Sequence, residues 1–163
     1  MRWLLLLALA SACQDARTEG GSEDTLTARP VPIEPTPAPG KVAGETWYVD
    51  YSTGGERWRR GAGLARTEKM PWALAASVNR YFAGKASGGV APRLKIVGRT
   101  ADTLLVQIEH AEVLTQQMGS TGARELLGVA TYTLTESPGV QRVRFDFPEG
   151  DHAAPGVYGR EDF

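Results

Sequence analysis

Between Ala123 and Leu134 the apolar side chains recur every three or four positions, at Ala123, Leu126, Leu127, Ala130 and Leu134. That spacing predicts a helix with one buried face. Ser120 or Thr121 stands where a hydroxyl can cap the first turn, though neither is followed by the glutamate or glutamine of a full capping box. Pro138-Gly139 ends the helix, because proline cannot continue it and glycine tolerates the reversal. Val143, Phe145 and Phe147 then alternate with Arg142, Arg144 and Asp146, which predicts a strand with a dry face and a wet face.

The same two periods run upstream. Trp47, Val49 and Tyr51 alternate with Tyr48 and Asp50 as a first strand. Ser52 to Thr67, rich in glycine and arginine, reads as a loop. A helix starts near Pro71, buries Leu74, Val78, Tyr81 and Phe82, and stops at Gly84. After a loop from Lys85 to Arg93, Leu94 and Ile96 open a second strand. Thr100 to Thr103 turns, and Leu104, Val106 and Ile108 mark a third strand.

The element order is therefore β-α-β-β-α-β. It predicts the α+β class: a small mixed β-sheet with two helices packed on one face. The other sheet face carries Arg142, Arg144, Asp146, Gln107 and Glu109 and meets water or a partner. Roughly 105 residues from Glu45 to Gly150 suffice for one domain with one core. Residues 151–163 read as a polar C-terminal tail, with the acids Glu161 and Asp162 in a frayed end.

Residues 1–12 have the layout of a secretory signal: Arg2, an apolar run through Leu9, then small residues. The run is about ten residues, half the roughly 20 a membrane-spanning helix needs. The segment Leu9-Ala10-Ser11-Ala12-Cys13 resembles the bacterial lipobox, with Ala10 where leucine is more frequent. That resemblance implies cleavage before Cys13, thioether lipidation of its sulfur and acylation of the new amine. One acyl chain holds a protein to a membrane only marginally, so a multiply acylated cysteine is the expected anchor. The competing reading is an ordinary secretory signal with an incidental cysteine. Cys13 is the single cysteine of the sequence, so no disulfide within the chain is expected. Gln14 follows it rather than aspartate, which by resemblance to lipoprotein sorting implies the periplasmic face of the outer membrane in a two-membrane bacterium.

Residues 13–44 lack apolar periodicity and carry Pro30, Pro32, Pro35, Pro37 and Pro39. Such a composition predicts an extended tether that holds the domain away from the lipid. The formal net charge of −1 implies no general affinity for polyanions. One basic segment stands out: Arg57, Trp58, Arg59, Arg60 and Arg66. With Arg142 and Arg144 on the wet strand face, Arg57, Trp58, Arg59 and Arg60 form the candidate binding surface. A solvated loop is the competing reading, and Trp58 and Trp72 can equally be core packing. Export argues against nucleic acid and for an anionic envelope polymer, a lipid headgroup or an acidic protein.

Catalytic chemistry finds little support in the residue pattern. His110 and Glu112 lie close to Glu109, but no His-Glu-x-x-His is present. His110 continues the strand phase, and His152 sits in the polar tail. No Gly-x-Ser-x-Gly elbow and no phosphate-binding Gly-Lys-Ser/Thr occurs. No catalytic residue, metal or cofactor is expected. On a hydrolase reading, Glu109 is the residue to replace first.

The block from 119 to 150 resembles the GerMN domain of sporulation and germination proteins. The matching words are Gly119-Ser120, Tyr132-Thr133-Leu134-Thr135-Glu136, Pro138-Gly139-Val140, Val143-Arg144-Phe145 and Gly150. Upstream, Val106-Gln107-Ile108 and Asn79 to Pro92 match in order but less closely. Gly84-Lys85 stands where the family has Gly-Pro, and Gln107 where it usually has an acid. The resemblance implies a non-enzymatic binding or assembly module at the cell envelope, whose partners are envelope proteins, peptidoglycan or further copies of itself. The alternatives are a peptidoglycan-acting enzyme and a purely structural spacer.

Overall fold

The computed structural model describes residues 44–64, 70–86 and 89–163. The apolar run, Cys13 and the proline-rich stretch lie outside the described residues, as does Arg66. The order is β1 (Trp47–Asp50), β2 (Arg57–Arg60), α1 (Pro71–Lys85), β3 (Arg93–Thr100) and β4 (Thr103–Glu109). A short π-helix (Val113–Gln117), α2 (Gly119–Leu134), β5 (Arg142–Asp146), β6 (Gly156–Tyr158) and a 3-10 turn (Arg160–Asp162) follow.

The class is α+β, with two sheets where one was expected. Strands β3-β4-β5-β6 form a mixed sheet in that order. β3 and β4 are antiparallel, β4 and β5 parallel, and β5 and β6 antiparallel. The parallel step needs a long crossover, which the π-helix and α2 supply. β1 and β2 pair only with each other, as an antiparallel hairpin.

One core unites the helices and one sheet face. Leu104, Val106, Ile108, Val143 and Phe145 come from the sheet, Leu74, Val78 and Phe82 from α1, and Ala123, Leu126, Leu127, Ala130 and Leu134 from α2. All are buried, and each large side chain contributes about 1.5–3 kcal/mol relative to exposure. The apolar positions expected from the periods of α1, α2, β4 and β5 are inside, whereas Trp47, Val49 and Ile96 are only half-buried and Tyr51, just past β1, is 49% exposed. The wet face holds as well: Gln107, Glu109, Arg142, Arg144 and Asp146 are exposed.

Helix α2 is buried on more than the expected stripe, for Gly128, Val129, Thr131 and Thr133 are also covered. The β1–β2 hairpin supplies part of the cover, for Trp58 lies over Gly128 and the main-chain N–H of Trp47 donates to Thr133 Oγ1 at 3.0 Å. Trp58 stacks on Tyr132 with ring centroids 4.8 Å apart, and Trp47 lies 4.9 Å from the same ring.

Three expectations change. The Ser52–Thr67 segment is not one loop, because Arg57–Arg60 pairs residue for residue with β1. Residues 151–163 are not a frayed tail. β6 pairs with β5, and Arg124 donates to the main-chain oxygens of Asp162 (3.2 Å) and Phe163 (2.9 Å), while Phe163 packs on Trp58. Neither Ser120 nor Thr121 caps α2. The π-helix runs directly into it, Gly119 makes the change of direction at φ +68°, and no side chain caps the start. A side chain at that φ would be strained, so glycine suits the junction.

The β3–β4 turn holds strain that can be removed. Ala101 has φ +52°, a region that costs a residue with a Cβ about 1–2 kcal/mol. Ala101→Gly should raise stability by about 0.5–1 kcal/mol, the relieved strain less the extra unfolded-state freedom of glycine. The urea midpoint checks it, and a lower midpoint in the variant would contradict the strain argument.

Candidate functional site: the β3 edge and the open sheet face

The basic segment expected to form a surface is split by the strand it belongs to. Alternate residues of β2 point to opposite sides. Trp58 and Arg60 face α2, whereas Arg57 and Arg59 face away. Trp58 is half-buried, held between Tyr132 and Phe163, so it packs the hairpin onto α2 and the C-terminal turn. Arg60 donates to Glu136 Oε2 at 2.7 and 3.1 Å. Arg59 pairs with Asp50 at 3.5 Å, and Arg142 with Glu161 at 3.5 Å. The side chains of Arg57 and Arg144 have no ion-pair partner among the described residues.

Glu136, one residue past the end cap of α2, ties three elements together. Its Oε1 accepts from the Trp47 indole at 3.0 Å and from Arg160 at 2.9 Å, while Oε2 takes Arg60. Burial by itself would raise the Glu136 pKa. The bonds from Arg60, Trp47 and Arg160 outweigh it and hold the carboxyl below its ordinary 4.5. This cluster fastens the hairpin and the C-terminal turn to α2.

The uncovered surface lies elsewhere. β3 is an outer strand of the mixed sheet. Beside it runs an open groove of about 400 Å3 between α1 and β3, lined by Trp72, Ala75, Ala76, Asn79, Ile96 and Glu109 among others. Trp72 is 69% exposed, so it does not pack on the core. It sits off the stripe formed by Leu74, Val78, Tyr81 and Phe82, and that phase was the signal available in the sequence.

Asn79 closes one end of the edge. Its Nδ2 donates to the Leu94 carbonyl at 3.0 Å, and its Oδ1 accepts from the Leu94 N–H at 2.7 Å. The main-chain groups of Leu94 therefore point away from β4. Antiparallel pairing alternates residue by residue, and the register is regular from Arg93 to Ile96. The N–H and C=O of Ile96 thus point to the same free edge. No described residue bonds to them there.

The outer sheet face adds a second feature. Register places Leu105 beside Arg144 and Arg144 beside Val157, with Val97 at the bulge in β3 next to Leu105. Val97 and Val157 are 55% and 49% exposed. Arg144 thus has apolar side chains beside it across the strands, and Arg142 and Asp146 flank it along β5 on the same exposed face.

The titratable groups are scattered. His110 lies at the end of β4 with φ +58° and is 3.6 Å from Glu112, both well exposed. The Ser120 hydroxyl is 3.4 Å from His152 Nδ1 at the surface. Among the described residues no group of three or more His, Cys, Asp or Glu side chains could hold a metal ion. No described helix is long and apolar enough to cross a membrane.

No protein-family model, no curated protein and no solved structure matches this chain.

Proposed function

We propose that the protein is a lipid-anchored component of the bacterial cell envelope whose folded domain binds or assembles with other envelope components without catalysing a reaction. The observation that supports this reading best is the β3 edge. A strand with free main-chain groups beside a groove carrying an exposed tryptophan is a recognition geometry. The lipobox-like residues ending at Cys13 and the proline-rich stretch after it support anchoring at a distance from the lipid. The GerMN-like words at residues 119–150 point to the same class of module. All but Gly150 fall on α2, the turn after it and β5.

Cell fractionation tests the anchor. Wild type should partition with membranes and carry a lipid mass on Cys13, and Cys13→Ser should become soluble. A Ser variant that stays on the membrane, beside a wild type without added mass, would refute lipidation. A pull-down from envelope extract tests the binding reading. It should recover an envelope protein, peptidoglycan or further copies of the chain, and recovery of none would remove its support.

A second reading rests on Glu109, which lines the α1–β3 groove. If the protein cleaved peptidoglycan, Glu109→Gln would abolish that activity, and such a loss would replace the binding reading.

A further inference from the structure

We propose that the α1–β3 groove binds an extended acidic segment of a partner protein, which adds as a fifth strand along β3. The inference rests on the binding-module reading and names the kind of partner.

The argument begins with the edge itself. Asn79 satisfies Leu94 through both of its amide atoms. It does what a neighbouring strand would do for that one residue and marks where added pairing must stop. Past this clamp, Ile96 presents a free donor and a free acceptor to the groove. An incoming strand would bond to that pair, as in strand addition generally.

Side chains on the incoming strand alternate between two directions. One set would enter the groove, against the exposed Trp72 ring and the methyls of Ala75 and Ala76. That side calls for an apolar residue of moderate size. The other set would lie over the outer sheet face, beside the exposed side chains of Arg93 and Lys95.

Charge decides what kind of strand fits. β3 reads Arg-Leu-Lys-Ile-Val-Gly-Arg-Thr, with three cations and no acid. Arg99 is engaged with the carbonyls of Ala101, Pro138 and Gly139. Arg93 and Lys95 form no ion pair among the described residues, although Glu109 lies opposite Arg93 in the register. A second copy of β3 would bring like charges face to face across the new pairing, which is unfavourable. A strand with acidic residues at alternate positions would meet those cations. The same basic edge that deters self-pairing therefore selects an acidic partner.

Binding of a capped hexapeptide of alternating glutamate and valine to the full-length chain tests this. Calorimetry reads the affinity, and hydrogen exchange with mass spectrometry locates the protected amides. The peptide should bind and should slow exchange in residues 93–100. A lysine–valine peptide should bind at least about tenfold more weakly, a difference of 1.4 kcal/mol. Trp72→Ala and Lys95→Glu should each weaken the glutamate peptide by a similar factor. Both side chains are exposed, so the fold should survive, and an unchanged urea midpoint confirms it. Ile96→Pro, which removes the free N–H on an outer strand where proline is tolerated, should abolish binding.

Equal binding of the lysine peptide would overturn the proposal. So would unchanged affinity in both Trp72→Ala and Lys95→Glu, or protection confined to residues outside β3. Protection of β3 that rises with protein concentration in the absence of peptide would assign the edge to a second copy and overturn it too. Because the probe is synthetic, its failure is distinct from a failure to recover an envelope partner.

Discussion

Gly128→Ala should destabilise the protein by about 2 kcal/mol, within the usual 1–3 kcal/mol cost of overpacking. Alanine is normally the better helix residue by about 1 kcal/mol, so the sign is the informative part. A Cβ at residue 128 would lie 2.2 Å from Trp58 Cη2, 2.5 Å from Cζ2 and 3.1 Å from Phe163 Cδ1. The indole cannot simply swing away, because Tyr132 stacks on it at 4.8 Å and 11° and Phe163 meets it edge-on at 5.9 Å. Relief requires the whole β1–β2 hairpin to shift.

A double-mutant cycle separates this from any other effect of the substitution. Trp58→Ala alone should cost about 3 kcal/mol, the lower end for losing a large aromatic, since the ring is only half-buried. In that background Gly128→Ala should turn stabilising, by about the helix-propensity difference of 1 kcal/mol. Urea unfolding of the four proteins, followed by circular dichroism, reads both signs. Gly128→Ala that stabilises the wild-type background would mean the hairpin does not seat on α2 as described.

Glu136→Gln should cost about 1–3 kcal/mol, the range for hydrogen bonds to a charged group. The carboxylate accepts from Arg60, Arg160 and Trp47 and is 19% exposed. Its arginine partners are 43% and 38% exposed, which places the loss in the lower half of that range. A glutamine keeps the shape but offers one acceptor oxygen and turns an amide N–H₂ toward one of the cations.

The pH dependence has a definite sign. Glu136 is held below its ordinary pKa of 4.5 in the folded protein. The unfolded chain therefore binds its proton first as pH falls, and stability declines. The contribution of Glu136 is complete above the ordinary value and is lost as pH drops below it. The gap between wild type and Glu136→Gln should be constant from pH 6 to 8 and narrow below about pH 4.5. A gap that stays constant into acid would show that the carboxylate charge does not hold the hairpin and the C-terminal turn.

The unequal legibility of the chain follows from where each segment finds its apolar partners. The helices and the strands β3, β4 and β5 each bury one continuous stripe of their own, so the periods of 3.6 and 2 reveal them. Leu104, Val106, Ile108, Val143 and Phe145 are inside for this reason. β2 has one buried-side aromatic among three arginines, and charge conceals its alternation. β6 is three residues long and lies at the sheet edge, too short for any period to register. The proposed groove was concealed differently. Trp72 and Asn79 lie on α1 and Ile96 on β3 across an intervening loop, and none carries a recognisable motif.

By itself the sequence determined the α+β class, the two helices, and the buried and wet faces of the central strands. Those features depend on residues within a few positions of one another. Tertiary structure alone decided that Trp58 packs on Tyr132, that residues 156–158 join the sheet, that Glu136 gathers Trp47, Arg60 and Arg160, and that β3 keeps an open edge. Each of these joins side chains or strands from separate parts of the chain. Its free energy arises only when they meet, so no local pattern can encode it.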